Sequence, residues 1–207
     1  GYLPILELPS LFNPAVGHIA TANENNVPAG YRRVDAVGRQ WAEPWRVQRV
    51  REVLDTTRGA TAVSMAALQQ DVTSLVARRI AATVTRRAPM SCPAALDATD
   101  AATKAGCVLQ GDPSGRLAPE SAAAAVTVLL ERALLSRNRD AVFSDYDDPA
   151  LRSLATPVLF AWLDTVSVSV LTDAMREAGT QLSTRIGAEP RGQLCPGLAH
   201  GVSQHRH

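Results

Sequence analysis

The feature that most constrains the fold is the helical spacing of apolar residues that begins near residue 44. Pro44 suits the first position of a helix, and Val47, Val50 and Leu54 then recur every three or four residues, with polar side chains on the other faces. Gly59 predicts where this helix ends. A chain with such spacing over most of its length folds as amphipathic helices around an apolar core.

Further helices are predicted along the rest of the chain. The second runs from an N-cap at Ser64 to about Arg86, and a short one is expected near 94–105 within a connection rich in Gly and Pro. The third opens at Pro119, and the fourth runs from Thr156 until Gly179 interrupts it. The sequence therefore predicts a mainly α chain.

The first 43 residues differ, because they predict strands and loops. Ile5–Leu8 and Ile19–Ala22 are predicted short strands. The second ends in three closely spaced asparagines, Asn23, Asn25 and Asn26. Amide side chains offer both donors and an acceptor, which suits a binding or catalytic site. An asparagine-rich turn whose side chains bond their own backbone explains the same residues.

Composition excludes several classes of protein. The net charge of +1 over 207 residues favours neither nucleic acid nor an anionic membrane. The longest apolar stretch, Val158–Leu171, is interrupted by polar residues, so no run reaches the about 18 residues of a membrane span. The three cysteines lack zinc-type spacing, and the sequence leaves open whether Cys92 and Cys107 form a disulfide in an exported protein or stay as thiols.

Other constellations have simpler explanations than chemistry. Histidines in the C-terminal tail match no common metal-site spacing, and an acidic cluster near residue 147 lacks EF-hand spacing and fits helix capping. These residues are His200, His205 and His207, and Asp145, Asp147 and Asp148. A triad of Ser74, His18 and Asp71 lacks any arrangement that would orient a base.

Four segments in order resemble one known family. They are Pro9–Asn23 (P-x-L-x-N-P-x-x-G-x-I-A-T-A-N), Tyr31–Asp35 (Y-x-x-x-D), Pro44–Leu54 (P-W-R-x-x-R-V-x-x-x-L) and Leu68–Ala77 (L-Q-x-D-x-x-S-x-x-A). Together they resemble the β chain of the penicillin acylase family, which are N-terminal-nucleophile (Ntn) amidohydrolases. Beyond residue 90 the likeness thins, and tryptophans of the family's later segments are missing.

The resemblance implies a fold and a division of the chain. We expect a mainly α structure with a short N-terminal β segment, forming the helical layer of an incomplete αββα Ntn-hydrolase fold. Residues 1–43 would form the β and loop segment, residues 44–190 the helical region and residues 191–207 an irregular tail.

The resemblance also implies roles for three residues. Asn23 matches the asparagine of the oxyanion hole, and Arg46 matches an arginine that positions this asparagine or contacts the substrate. Asp35 matches a carboxylate that helps to bind a structural Ca²⁺ in some members. Catalysis in such enzymes needs no cofactor.

The nucleophile of this family is a Ser, Thr or Cys at the N-terminus of the β chain, freed by autoproteolysis, whose own α-amino group is the base. Gly1 is none of these, so we expect an interior fragment that is inactive alone. Its partners would be the α chain and the N-terminal half of the β chain, in a periplasmic or secreted bacterial enzyme that cleaves an acyl amide. A non-catalytic relative and an unrelated helical bundle are the alternatives.

Overall fold

A computed structural model of the chain describes residues 2–38, 41–94, 100–137 and 155–188. The chain divides into two units by its internal contacts. The first comprises Gly1–Asp71 and Tyr146–Thr156, and the second comprises Val72–Asp145 and Pro157–His207. The acidic cluster near residue 147, the predicted tail and the three tail histidines lie outside the described residues.

The first unit carries three helices in its described part. They are α1 (Val34–Val37), α2 (Trp45–Thr56) and α3 (Ala62–Gln69). Neither predicted strand forms here: Ile5–Glu7 is a single 3₁₀ turn, and residues 19–22 have no regular structure. A strand needs a neighbour to accept and donate its backbone hydrogen bonds, and no described residue pairs with this segment.

The second unit carries five helices in its described part. They are α4 (Leu75–Arg87), α5 (Ala101–Gly111), α6 (Ala122–Arg137), α7 (Ala155–Leu163) and α8 (Val168–Ala188). The first two residues of α7 belong to the first unit. Helix α8 packs on α5 and α6, and α4 contacts the same two helices. Their fully buried side chains, such as Ile80, Leu109, Leu130 and Met175, form the core. The mainly α prediction is thus confirmed.

The predicted helix from Ser64 to Arg86 is wrong, because the chain breaks between α3 and α4. Thr73 forms an isolated antiparallel bridge with Arg116, and the Ser74 amide donates to the Gly115 carbonyl at 2.9 Å. The Ser74 hydroxyl then caps α4 by accepting the Ala77 amide at 3.1 Å. Apolar spacing continues across the break, which is why it predicted one helix.

The predicted fourth helix is also two helices, separated at residues 164–167. Arginines of α4 hold this corner. Arg79 and Arg86 donate to the Asp164 carboxylate at 3.0 and 3.2 Å, and Arg87 donates to the carbonyls of Leu163 and Val166. Leu163 ends α7 and Val166 lies in the corner before α8, where backbone carbonyls lack an intrahelical donor.

No single described helix is long and apolar enough to cross a membrane. One pair, Thr156–Leu163 with Val168–Thr184, has the length and composition for a span, but its two members are bent by 120°.

Glycines were misleading signals in this unit. Gly106 lies inside α5, and Gly111 is its last residue. The helix starts later than predicted, where the Asp100 side chain accepts the amides of Ala102 and Thr103. The Thr103 hydroxyl and amide, which bond the same carboxylate, lower the pKa of Asp100. Gly179 lies within α8 and does not interrupt it.

Gly179 is explained by a close approach of two helices. A Cβ at this position would lie 2.0 Å from the Ala101 carbonyl oxygen, at the start of α5. The atom in the way belongs to the backbone, so a side-chain rotation cannot make room for it. Glycine is therefore required for the packing of α8 on α5.

We predict that Gly179→Ala lowers the free energy of unfolding by about 1–3 kcal/mol, the usual cost of overpacking, although alanine is the better helix former. Gly111→Ala is the matched control, because a Cβ at Gly111 meets nothing within 4 Å. It should raise the free energy of unfolding by up to about 1 kcal/mol. Urea denaturation measures both, and a stabilising Gly179→Ala would contradict the packing.

A disulfide joins Cys92 to Cys107, which settles the alternative that the sequence left open. Their Cα atoms are 5.5 Å apart, within the usual range for this bond. The bond ties the segment after α4 to the middle of α5.

We predict that reducing this disulfide lowers the free energy of unfolding by about 3 kcal/mol, because it closes a loop of 15 residues. Denaturation with and without reductant measures the change, and the Cys195→Ser variant should respond in the same way. Labelling of all three cysteines in unfolded, unreduced protein would contradict the bond.

Candidate active site

The turn at residues 22–24 holds Asn23 in an unusual backbone conformation. Its φ is +66°, in the left-handed region that few residues other than glycine adopt. The Ala42 amide donates to the Asn23 carbonyl at 2.7 Å. Asparagine tolerates this region better than most residues, so the sequence and the turn agree.

Arg46, the second residue of α2, fixes the orientation of the Asn23 side chain. Its Nη2 donates to the Asn23 Oδ1 at 2.6 Å and to the Ala22 carbonyl at 2.7 Å. Because a guanidinium can only donate, the amide oxygen must face Arg46. The Asn23 side chain is exposed, and its Nδ2 makes no hydrogen bond within the described residues. The turn therefore presents a free N–H donor.

Glu24 supports the turn from inside the unit, and sequence reasoning missed it. Only 5% of Glu24 is exposed. Its Oε2 accepts the Ala22 amide at 2.7 Å, and its Oε1 lies 3.4 Å from the Nη2 of Arg51. The only sequence signal for this role of Glu24 is its place among three asparagines. Such a carboxylate is common in solvated turns, so it does not indicate a buried one.

Arg49 ties α2 to the chain that follows α3. Its Nε and Nη2 donate to the Asp71 Oδ2 at 2.9 and 2.6 Å, and its Nη1 donates to Glu52 at 3.2 Å. Partial burial alone would lower the pKa of Arg49, but the hydrogen bonds to Asp71 and Glu52 outweigh it and raise that pKa. Arg46 and Arg51 of α2 thus hold the turn at Asn23, and Arg49 of the same helix holds the chain near Asp71.

The sequence pattern of the penicillin amidase family matches residues 1–206. This chain belongs to the penicillin amidase family. The resemblance noted in the sequence is therefore confirmed, and it extends over essentially the whole chain. A comparison with curated proteins gave no match. Members of the penicillin amidase family are amide hydrolases. In amide hydrolysis, a hydrogen-bond donor near the carbonyl oxygen stabilises the negative charge that develops there.

Asp35, the carboxylate assigned to Ca²⁺, lies exposed in the first turn of α1. Within the described residues, no three carboxylates, histidines or cysteines are grouped to hold a metal. Ca²⁺ takes six to eight oxygen ligands, so the residues described here do not by themselves make such a site. The role of Asp35 stays a prediction from the penicillin amidase pattern.

The triad drawn from Ser74, His18 and Asp71 is accounted for by other contacts. Ser74 caps α4 and Asp71 binds Arg49. The His18 Nε2 lies 3.7 Å from an Asp55 oxygen, in a cleft of about 630 Å³. The apolar walls of this cleft are formed by Pro9, Leu11, Val16, Ile19 and Pro28. It lies along the segment that leads to Asn23.

Proposed function

We propose that this chain supplies the oxyanion donor of a penicillin-amidase-type enzyme that cleaves the acyl amide bond of a small molecule. The observation that carries the proposal is the Asn23 amide, whose oxygen is held by Arg46 at 2.6 Å while its nitrogen faces outward. A backbone turn and a charged partner therefore fix the donor before substrate arrives, as electrostatic stabilisation requires.

The chemistry requires a nucleophile, which the proposal locates outside these 207 residues. An N-terminal Ser, Thr or Cys, with its own α-amino group as base, attacks the carbonyl carbon of the amide. The carbonyl oxygen gains negative charge and accepts a hydrogen bond from the Asn23 Nδ2. The C–N bond then breaks, the amine leaves with a proton, and water hydrolyses the acyl-enzyme.

The remaining parts of the same precursor are the proposed partners, so the chain alone is expected to be inactive. Apolar side chains near its beginning support this: Tyr2, Leu6 and Phe12 are each more than nine-tenths exposed. Large apolar side chains that are this exposed are typical of surfaces that another part of a protein covers. Strands of an αββα sheet would also give residues 19–22 the neighbours they lack here.

A bacterial periplasmic or secreted location is part of the proposal. The disulfide between Cys92 and Cys107 supports it, since such bonds persist in oxidising compartments. No cofactor takes part in the proposed reaction, and Asp35 would bind Ca²⁺ only with ligands from other parts of the precursor.

A non-catalytic relative is the second candidate, and the missing tryptophans of the family's later segments favour it. N-terminal sequencing of the mature protein, made from its whole gene, separates the two. Cleavage at a Gly-Ser or Gly-Thr junction upstream of Asn23 supports the enzyme, and an uncleaved intact product supports the non-catalytic relative.

We predict that Asn23→Ala in the mature enzyme lowers kcat by about two to three orders of magnitude, because one oxyanion donor contributes about 2.7–4 kcal/mol to transition-state stabilisation. Asn23→Asp should do the same. Its carboxylate can keep the contact with Arg46 but offers no N–H.

Asn25→Ala is the matched control. The Asn25 side chain accepts the Val27 amide at 3.1 Å in a local turn, so its loss should leave kcat within about twofold, as for an exposed turn residue. Full activity of Asn23→Asp would remove Asn23 from the site.

A further inference from the structure

We propose that Glu24, with Arg51 as its counter-charge, is a positioning residue that sets the direction of the Asn23 amide. This inference rests on the proposed function, because it assigns a role in the same site. In the proposed role, Glu24 does not contact the substrate. It acts through the backbone of the turn.

Three consecutive peptide groups around Asn23 are each held by a hydrogen bond. Glu24 accepts the Ala22 N–H at 2.7 Å. Arg46 donates to the Ala22 carbonyl at 2.7 Å. The Ala42 amide donates to the Asn23 carbonyl at 2.7 Å. Two of these peptide planes meet at the Asn23 Cα, and the third precedes them.

The orientation of these peptide planes determines the direction of the Asn23 side chain. The φ and ψ of Asn23 are rotations between the planes on either side of its Cα, and together they set where Cβ points. At φ +66° the conformation is one that L-residues rarely adopt. Loss of the hydrogen bond at Ala22 frees the turn to relax, and the Nδ2 then moves away from its position.

The Glu24 carboxylate is buried and needs an opposite charge. With 5% exposure it is removed from water, and a buried carboxylate is stable only with compensating partners. Arg51 supplies the opposite charge at 3.4 Å, from the same helix α2 that carries Arg46. One helix therefore holds the turn from two sides, directly through Arg46 and indirectly through Arg51 and Glu24.

A thermodynamic cycle in the mature enzyme tests this role. Glu24→Ala should lower kcat by about 10- to 100-fold with little change in KM, the size expected of a misplaced catalytic group. Glu24→Gln keeps an oxygen that can accept the Ala22 amide, and should recover most of that loss. In an Asn23→Ala background, Glu24→Ala should change kcat by less than about twofold, because the amide that it positions is gone.

Glu7→Ala is the matched control, since Glu7 is an exposed carboxylate paired with Arg33 at 2.9 Å; its kcat should be unchanged. Arg51→Met provides a second route if Glu24→Ala does not fold. It should lower kcat in the native background and have no further effect in the Asn23→Ala background.

Additive losses from Asn23→Ala and Glu24→Ala would overturn the positioning role, as would a Glu24→Gln variant no better than Glu24→Ala. These outcomes leave the proposed function standing. An Asn23→Ala variant with unchanged kcat would instead overturn the proposed function, and the positioning role with it.

Discussion

The turn at Asn23 depends most directly on one guanidinium nitrogen. The Nη2 of Arg46 binds the Ala22 carbonyl and the Asn23 side-chain oxygen together. A left-handed residue costs about 1–2 kcal/mol for most side chains, while an intramolecular hydrogen bond contributes about 0.5–1.5 kcal/mol, and Arg46 makes two. These contacts are therefore large enough to hold Asn23 in its conformation. They also hold the amide oxygen of Asn23 against Arg46, so its Nδ2 faces outward as a hydrogen-bond donor.

Helix α2 supports this turn because its arginines are spaced to reach different partners. Arg46 binds the turn directly, and Arg51 binds it through Glu24. Arg49 binds Asp71, which follows α3 in the chain. The second unit obtains its order in another way, from an apolar helical core, the close contact at Gly179 and a disulfide. Charged hydrogen bonds thus organise the unit with the candidate site, where buried apolar side chains are few.

The sequence was sufficient for what local patterns and motifs encode. Apolar spacing predicted the mainly α fold, and the family motif singled out Asn23 and Arg46, which the structure brings into contact. The break after Gln69 could not be read, because it depends on pairing of Thr73 with the distant Arg116. Gly179 resembled a helix breaker because its reason lies on another helix. The role of Glu24 could not be predicted, because its burial depends on contacts with both the turn and Arg51 of α2.

In the proposed enzyme the Asn23 amide donates to the oxyanion that forms during amide cleavage. The most direct measurement is a crystal structure of the mature enzyme with a bound phosphonate analogue of the tetrahedral intermediate. We expect an analogue oxygen about 2.7–3.1 Å from the Asn23 Nδ2, with Oδ1 still on Arg46. An analogue oxygen held by other donors, with the Asn23 amide turned away, would contradict it.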